Sequence, residues 1–220
     1  MKALVSNTDR AWFDYLAELS RATGGPLDEV NFWRPKDQDP VKSIPPGAPF
    51  FLRLKVPTFK IAGWGFFAHW RLVPLREAWL LFGEKNGAPD FDTFHENIER
   101  LRGSDPAAPG AKPIGCVMLR HVTFLPEEHW IPWGTAEEWG RTIVTDKGYD
   151  LTVEPGGRLM TLLSQGGAHG AAPPPDLVGD RFKPLDVDAR RWRQAVLAAR
   201  DGQGTFRSRL LDALRLARQC

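Results

Sequence analysis

Apolar positions along the chain alternate between two periods, and the switches mark its elements. Ala3-Leu4-Val5 reads as a short opening strand. Trp12, Phe13, Leu16 and Leu19 then share one face of a helix that Thr8 is placed to cap and Gly24-Gly25 to end. Glu29 to Trp33 reads as a strand closed by Arg34-Pro35, and the polar, proline-rich stretch 36–47 as a surface loop. Two strands follow, Pro49 to Lys55 and Lys60 to Val73, with Val56-Pro57-Thr58 turning between them. Pro74 suits the first turn of a helix through Phe82. Asp90 is placed to cap another, with Phe91, Phe94, Ile98 and Leu101 on one face. After a linker-like GSDPAAPGAKP stretch, Ile114 to Leu125 is apolar enough for a strand covered on both faces. Glu127 to Trp139 reads as a tryptophan-rich loop, 142–152 as one more strand, and Arg158 to Leu163 as a short helix. Strands with helices slotted between them predict an α+β fold built on a curved sheet or small β-barrel with inserted helices. The glycine- and proline-rich stretch from Ser164 sets the main boundary. It divides a domain over 1–163 from a linker over 164–183 and a helical extension over 184–220.

Composition narrows the class. A 42% hydrophobic, 25% charged chain is ordinary for a globular protein, but nine tryptophans and thirteen phenylalanines are a large aromatic supply. No apolar run is long enough to span a bilayer, and Met1-Lys2 leads directly into a strand, so no membrane partner is expected. Two cysteines, Cys116 and Cys220, suit a cytoplasmic protein without a disulfide framework. From Asp180 onward ten Lys/Arg face five Asp/Glu, which leaves the first 179 residues at −3 of the net +2. A basic tail on a slightly acidic body suits contact with nucleic acid, as does plain helix solvation. The five histidines show no metal-ligand spacing, and there is no Gly-x-Ser-x-Gly, phosphate loop or paired acid-plus-Glu-x-Lys. No cofactor and no self-sufficient catalysis are expected of this chain.

Particular motifs carry a resemblance. The tail GQGTFRSRLLDALRLARQC resembles the segment that enters the HNH nuclease domain of modification-dependent restriction endonucleases. PGAPFFLRLKVPTFKIAGWGFFAHW, followed by two helices and IGCVMLRHVTFLPEEHWIP, resembles the PUA-like superfamily that includes SRA, EVE, YTH and ASCH domains. With DEVNFW, FGEKNG, WIPW and DKGYD, the body looks like the amino-terminal half of a PUA-like–HNH endonuclease. The resemblance implies a reader domain that binds double-stranded DNA carrying a modified base and directs a nuclease to it, with room for a homodimer. The nuclease's divalent metal and catalytic histidines would lie beyond Cys220, so binding without cleavage is expected. Two other readings stay open: a PUA-like RNA binder, and an ASCH-type small-molecule hydrolase using Lys55, Thr58 and Glu84.

A flipped base needs stacking faces and a polar edge, because aromatic stacking offsets the free energy of extrusion. Trp64 and Phe66 on the proposed hairpin, Trp130 and Trp133 in the proline-stiffened WIPW loop, and Trp33 and Tyr149 are candidate stackers. Period two places most hairpin aromatics in the core, whereas burying both WIPW indoles is harder. Asn31, which interrupts an apolar strand, and Asp150 are candidates for the polar edge; a sheet-edge asparagine and a surface aspartate are the plain alternatives. Gly63 and Gly65 are placed to let a sugar or phosphate sit against the sheet. Lys55, Lys60, Lys85 and Arg120, with Arg207 and Arg209 in the tail, are candidate phosphate contacts.

Overall fold

The computed structural model describes residues 1–35, 41–103, 112–140 and 142–165. The expected linker over 164–183, the extension over 184–220, Arg207 and Arg209 lie essentially outside the described residues. Within them the elements run β1 (Lys2–Thr8), α1 (Arg10–Ala22), β2 (Leu27–Arg34), β3 (Pro49–Leu54), β4 (Lys60–Val73), α2 (Leu75–Phe82), α3 (Phe91–Arg102), β5 (Ile114–Phe124), β6 (Ile131–Pro132), α4 (Ala136–Trp139), β7 (Asp146–Asp150) and α5 (Gly156–Gln165).

One open seven-stranded sheet organises them, in the order β2-β5-β4-β3-β1-β7, with short β6 paired to the start of β4. β1 and β3 are parallel and the remaining pairings are antiparallel. β4 is the hinge of the sheet: it pairs with β3 from Ile61 to Phe66 and with β5 from Gly63 to Val73. Register shifts at Trp64/Phe66 and Phe67/His69 bend it, as bulges do. The two edge strands are brought together by a side chain. Arg34 of β2 donates to Ser6 Oγ of β1 at 2.6 Å and pairs with Asp146 of β7. Both ends of that ion pair are largely buried.

Both faces of the sheet are covered, so the strands are apolar on both sides. On one face Phe50, Leu52 and Leu54 of β3 join Phe32, Val117 and Leu119, and α1 closes the cluster with Trp12, Phe13 and Leu16. On the other, Phe51, Trp64 and Phe66 pack against Trp133, Trp139, Tyr149 and the α5 residues Leu159, Leu162 and Leu163. Further along that face, Cys116 and Met118 meet Ala78, Phe82, Phe94 and Ile98 of α2 and α3. Burial pushes the Cys116 thiol pKa up to about 12, so this cysteine is inert packing.

Three local expectations are corrected. The N-cap of α1 is Asp9, whose carboxylate accepts from the backbone N–H of Ala11 and Trp12, while Thr8 ends β1, buried. The described part of the expected surface loop, 41–47, is not simply surface, because Val41 and Ile44 insert into the α1-side core. The space beside Gly63 and Gly65 is filled by β5. A Cβ at Gly63 would lie 2.4 Å from Thr123 O, and one at Gly65 2.9 Å from Val122 Cγ2. The glycines therefore serve strand-to-strand approach and leave no seat for a nucleotide there.

Candidate functional site: a cleft floored by a buried arginine

The NFW and FGEKNG motifs meet, and they build a buried polar knot. Asn31 is fully buried on β2, and its Nδ2 donates to Asn86 Oδ1 at 2.9 Å and to Cys116 Sγ at 3.2 Å. Trp33 Nε1 donates to Asn86 O at 2.8 Å, and Trp12 Nε1 to Asn31 O at 3.2 Å. Asn86 itself donates to Ala78 O and Gly83 O, tying β2 to the turn after α2. Gly87 completes the turn at φ 79°, under Trp12: a Cβ there would lie 2.3 Å from Trp12 Cδ1. The structure thus gives Asn31 and Trp33 protein partners. Asn31 Oδ1 keeps no hydrogen-bond partner among the described residues.

The remaining expected stackers are packed. Trp64 and Phe66 are core residues under α5. Both WIPW indoles are buried after all. Trp130 meets Phe13 edge-on and donates to Leu125 O at 2.8 Å, and Trp133 donates to Tyr149 Oη at 3.2 Å. The difficulty of burying two indoles on one short loop is resolved by giving each N–H an acceptor. Tyr149 Oη donates in turn to Glu138 O, and burial pushes its pKa up to about 12. Asp150 is exposed. The Thr152 N–H, the Thr152 hydroxyl and the amino terminus hold its pKa down to about 2. The expected phosphate contacts are dispersed. Lys85 pairs with Asp28 and lies 3.7 Å from Glu29, while Lys60 starts β4 and Arg120 sits on β5, both half-buried. Lys55 is exposed, 3.9 Å from Asp9.

A different group forms the chemically distinctive site. Arg53 of β3 is 2% exposed, at a register shift between β3 and β4. Strand alternation puts it on the face of Phe51 and the bulge aims it outward from the pairing. Its Nε donates to Trp133 O at 2.6 Å and its Nη1 to Asn7 Oδ1 at 2.6 Å. Its Cζ lies over the Trp139 ring at 4.3 Å and the Phe59 ring at 4.9 Å. No carboxylate lies within ion-pair distance of it among the described residues. Burial lowers its pKa, and the fields of Tyr149 and Glu138 oppose that shift. Arginine stays charged at neutral pH regardless, so this is a desolvated cation held by carbonyls and rings.

Above Arg53 opens a cleft of about 850 Å³, lined by Asn7, Lys55, Val56, Phe59, Trp139 and Val144 among others. Its rim is apolar and solvent-facing: Val56 is 73%, Phe59 41% and Val144 80% exposed. Phe59 also holds a positive φ of 47°, a strained conformation for an aromatic residue. The far wall is tied together by hydrogen bonds and an ion pair. Thr135 and Glu138 form a capping box at α4, with Glu138 Oε2 accepting from Gly134 N and Thr135 N at 2.9 and 3.0 Å and Oε1 pairing with Arg158. Asn7 Nδ2 donates to Val144 O at 2.7 Å, fixing the opposite lip. Among the described residues expected in the site, Lys55 lines this cleft and Trp133 holds Arg53 through its carbonyl. Arg53 was missed because PFFLRL reads as strand; its signal was a lone charge in an apolar run buried on both sides.

A second opening of about 690 Å³ is lined by Leu19, Thr23 to Asp28, Phe82, Glu84 and Lys85. Glu84 therefore lines a different opening from Lys55, and the Lys55, Thr58 and Glu84 set is not assembled in one cleft. Among the described residues no group of three or more His, Cys, Asp or Glu side chains is placed to hold a metal ion, and no helix is long and apolar enough to cross a membrane.

Fold and site define a mixed α+β protein with an open, bent sheet and an aromatic-walled, cation-floored cleft. No protein-family model matches the chain, and no curated protein matches it. Among solved structures, it is similar to the ASCH protein from Zymomonas mobilis at 11% identity and a TM-score of 0.36, over 57% of this chain and 89% of that one. A single-substitution variant of that protein matches at 12% identity and a TM-score of 0.37, over 58% and 93%. A likeness this distant assigns neither function nor residues.

Proposed function

We propose that the chain is a PUA-like nucleic-acid reader that takes one extruded, modified base of double-stranded DNA into the Arg53 cleft. The carrying observation is the cleft itself: a buried guanidinium with unspent donors beneath an exposed apolar rim. Solvent-facing Val56, Phe59 and Val144 around a desolvated cation form an arrangement that a planar, polar-edged ligand would complete. Phe59 offers the stacking face, worth about 1–3 kcal/mol per base and comparable with the extrusion cost. Lys55 at the rim supplies a phosphate contact, which positions the duplex without reading it. The tail resemblance favours DNA over RNA.

The test uses duplexes identical except for one 5-methylcytosine, 5-hydroxymethylcytosine or N6-methyladenine. One of these binds more tightly than the unmodified duplex. Phe59→Ala, an exposed position, keeps the native melting transition and loses that preference by about 1–3 kcal/mol, with weak salt-sensitive binding retained. Equal affinity for every duplex, modified or not, would refute the reading.

A further inference from the structure

The donors of Arg53 carry the reading further, to the class of base. A guanidinium has five N–H donors and no acceptor. Two are fixed inside the protein, by Trp133 O and Asn7 Oδ1, which also locks the plane of the group. The other three remain, including both on Nη2, which has no hydrogen-bond partner among the described residues. Arg53 is 2% exposed at the floor of the cleft, and its remaining donors are open to whatever fills that cleft, water or ligand. Neighbouring donors of the fork match two adjacent acceptors on a ligand.

The bases differ on this point. Guanine presents N7 and O6 side by side, and cytosine presents N3 and O2. Adenine places the N6 donor beside N7 and beside N1, and thymine places the N3 donor between its two oxygens. We infer that Arg53 is the specificity-determining residue of the cleft, and that it selects a base with two adjacent acceptors, cytosine or guanine, over thymine and adenine. This rests on the base-reading proposal above and narrows it, because a modified adenine no longer fits. A substituent at cytosine C5 lies away from the N3–O2 edge and would point towards the apolar rim.

Extrusion is removed from the measurement by using duplexes with a single unpaired, bulged nucleotide of each kind, plus an abasic bulge. The comparison is made within ring sizes, so that stacking area cancels. Guanine should bind about 5- to 100-fold more tightly than adenine, and cytosine than thymine by a similar factor, the range of a good bidentate pair. Arg53→Lys keeps the charge and loses the fork, and should collapse both ratios towards one. If that variant does not fold, the wild-type ratios alone decide. Guanine equal to adenine with cytosine equal to thymine, all above abasic, overturns the role of Arg53 while base reading stands. An abasic bulge bound as tightly as the rest shows that the cleft takes a phosphate and overturns both.

Discussion

Single side chains decide between packing and recognition here, and Asn31 and Arg53 fall on opposite sides of that line. Both are polar residues in apolar strands. Asn31 spends its amide on Asn86 and Cys116 inside a closed core, so it specifies how β2 docks against α2. Arg53 spends two donors inside the protein and itself lines an open cleft. Asn86→Ala removes the Oδ1 that accepts from the Asn31 amide and the Nδ2 that donates to Ala78 O and Gly83 O. The loss should be about 1–3 kcal/mol for a buried donor left unpaired, read as a lower urea midpoint. An unchanged midpoint would mean that the polar knot does not hold β2 in place.

At the scale of elements, periodicity found nearly all the strands and helices, because amphipathic helices and doubly buried strands leave their period in the chain. The boundaries of β3, β4, α3 and β5 lie within a residue or two of expectation. What it missed depends on contacts between distant segments. Thr8 and Asp9 both suit an N-cap, and the choice is made by β1 pairing with β3 through Thr8. Val41 and Ile44 look like loop residues until α1 and β2 leave a gap for them. The WIPW indoles are buried because Leu125 O and Tyr149 Oη reach them. Arg53 was illegible for the same reason: a strand pattern records which face a residue takes, not whether that face opens to a cleft. Asp9→Ala should cost about 1 kcal/mol through loss of the cap, seen as a lower melting temperature. A variant melting with the wild type would show that α1 is held by its apolar face alone.

Across the whole molecule, two devices hold an open sheet in a curled shape: the bulges of β4 and the Arg34–Asp146 pair that spans its edges. Asp146→Asn leaves Arg34 buried without its countercharge, and should cost about 3–5 kcal/mol. A cost under about 1 kcal/mol would mean that the edges are held by packing. Acid should weaken the same architecture. Burial pushes the Glu138 carboxyl up, but hydrogen bonds from Thr135, Arg158 and Gly134 more than offset it, so its pKa sits below the usual range. Asp150 is lowered to about 2 by Thr152 and the amino terminus. A depressed folded pKa contributes stability that is complete above the unfolded value near 4. That contribution is lost as pH falls through the folded value. The melting temperature should therefore fall between about pH 4 and pH 2, and Glu138→Gln should flatten that fall. The most direct test of the central claim is amide hydrogen exchange on the protein with and without the preferred modified duplex. The account predicts new protection within 53–59 and 134–140 and at residues 143 and 144, the segments that contribute to the Arg53 cleft, and none at 23–28 or 84–85. Protection confined to the second opening, or absent from 53–59, would contradict it.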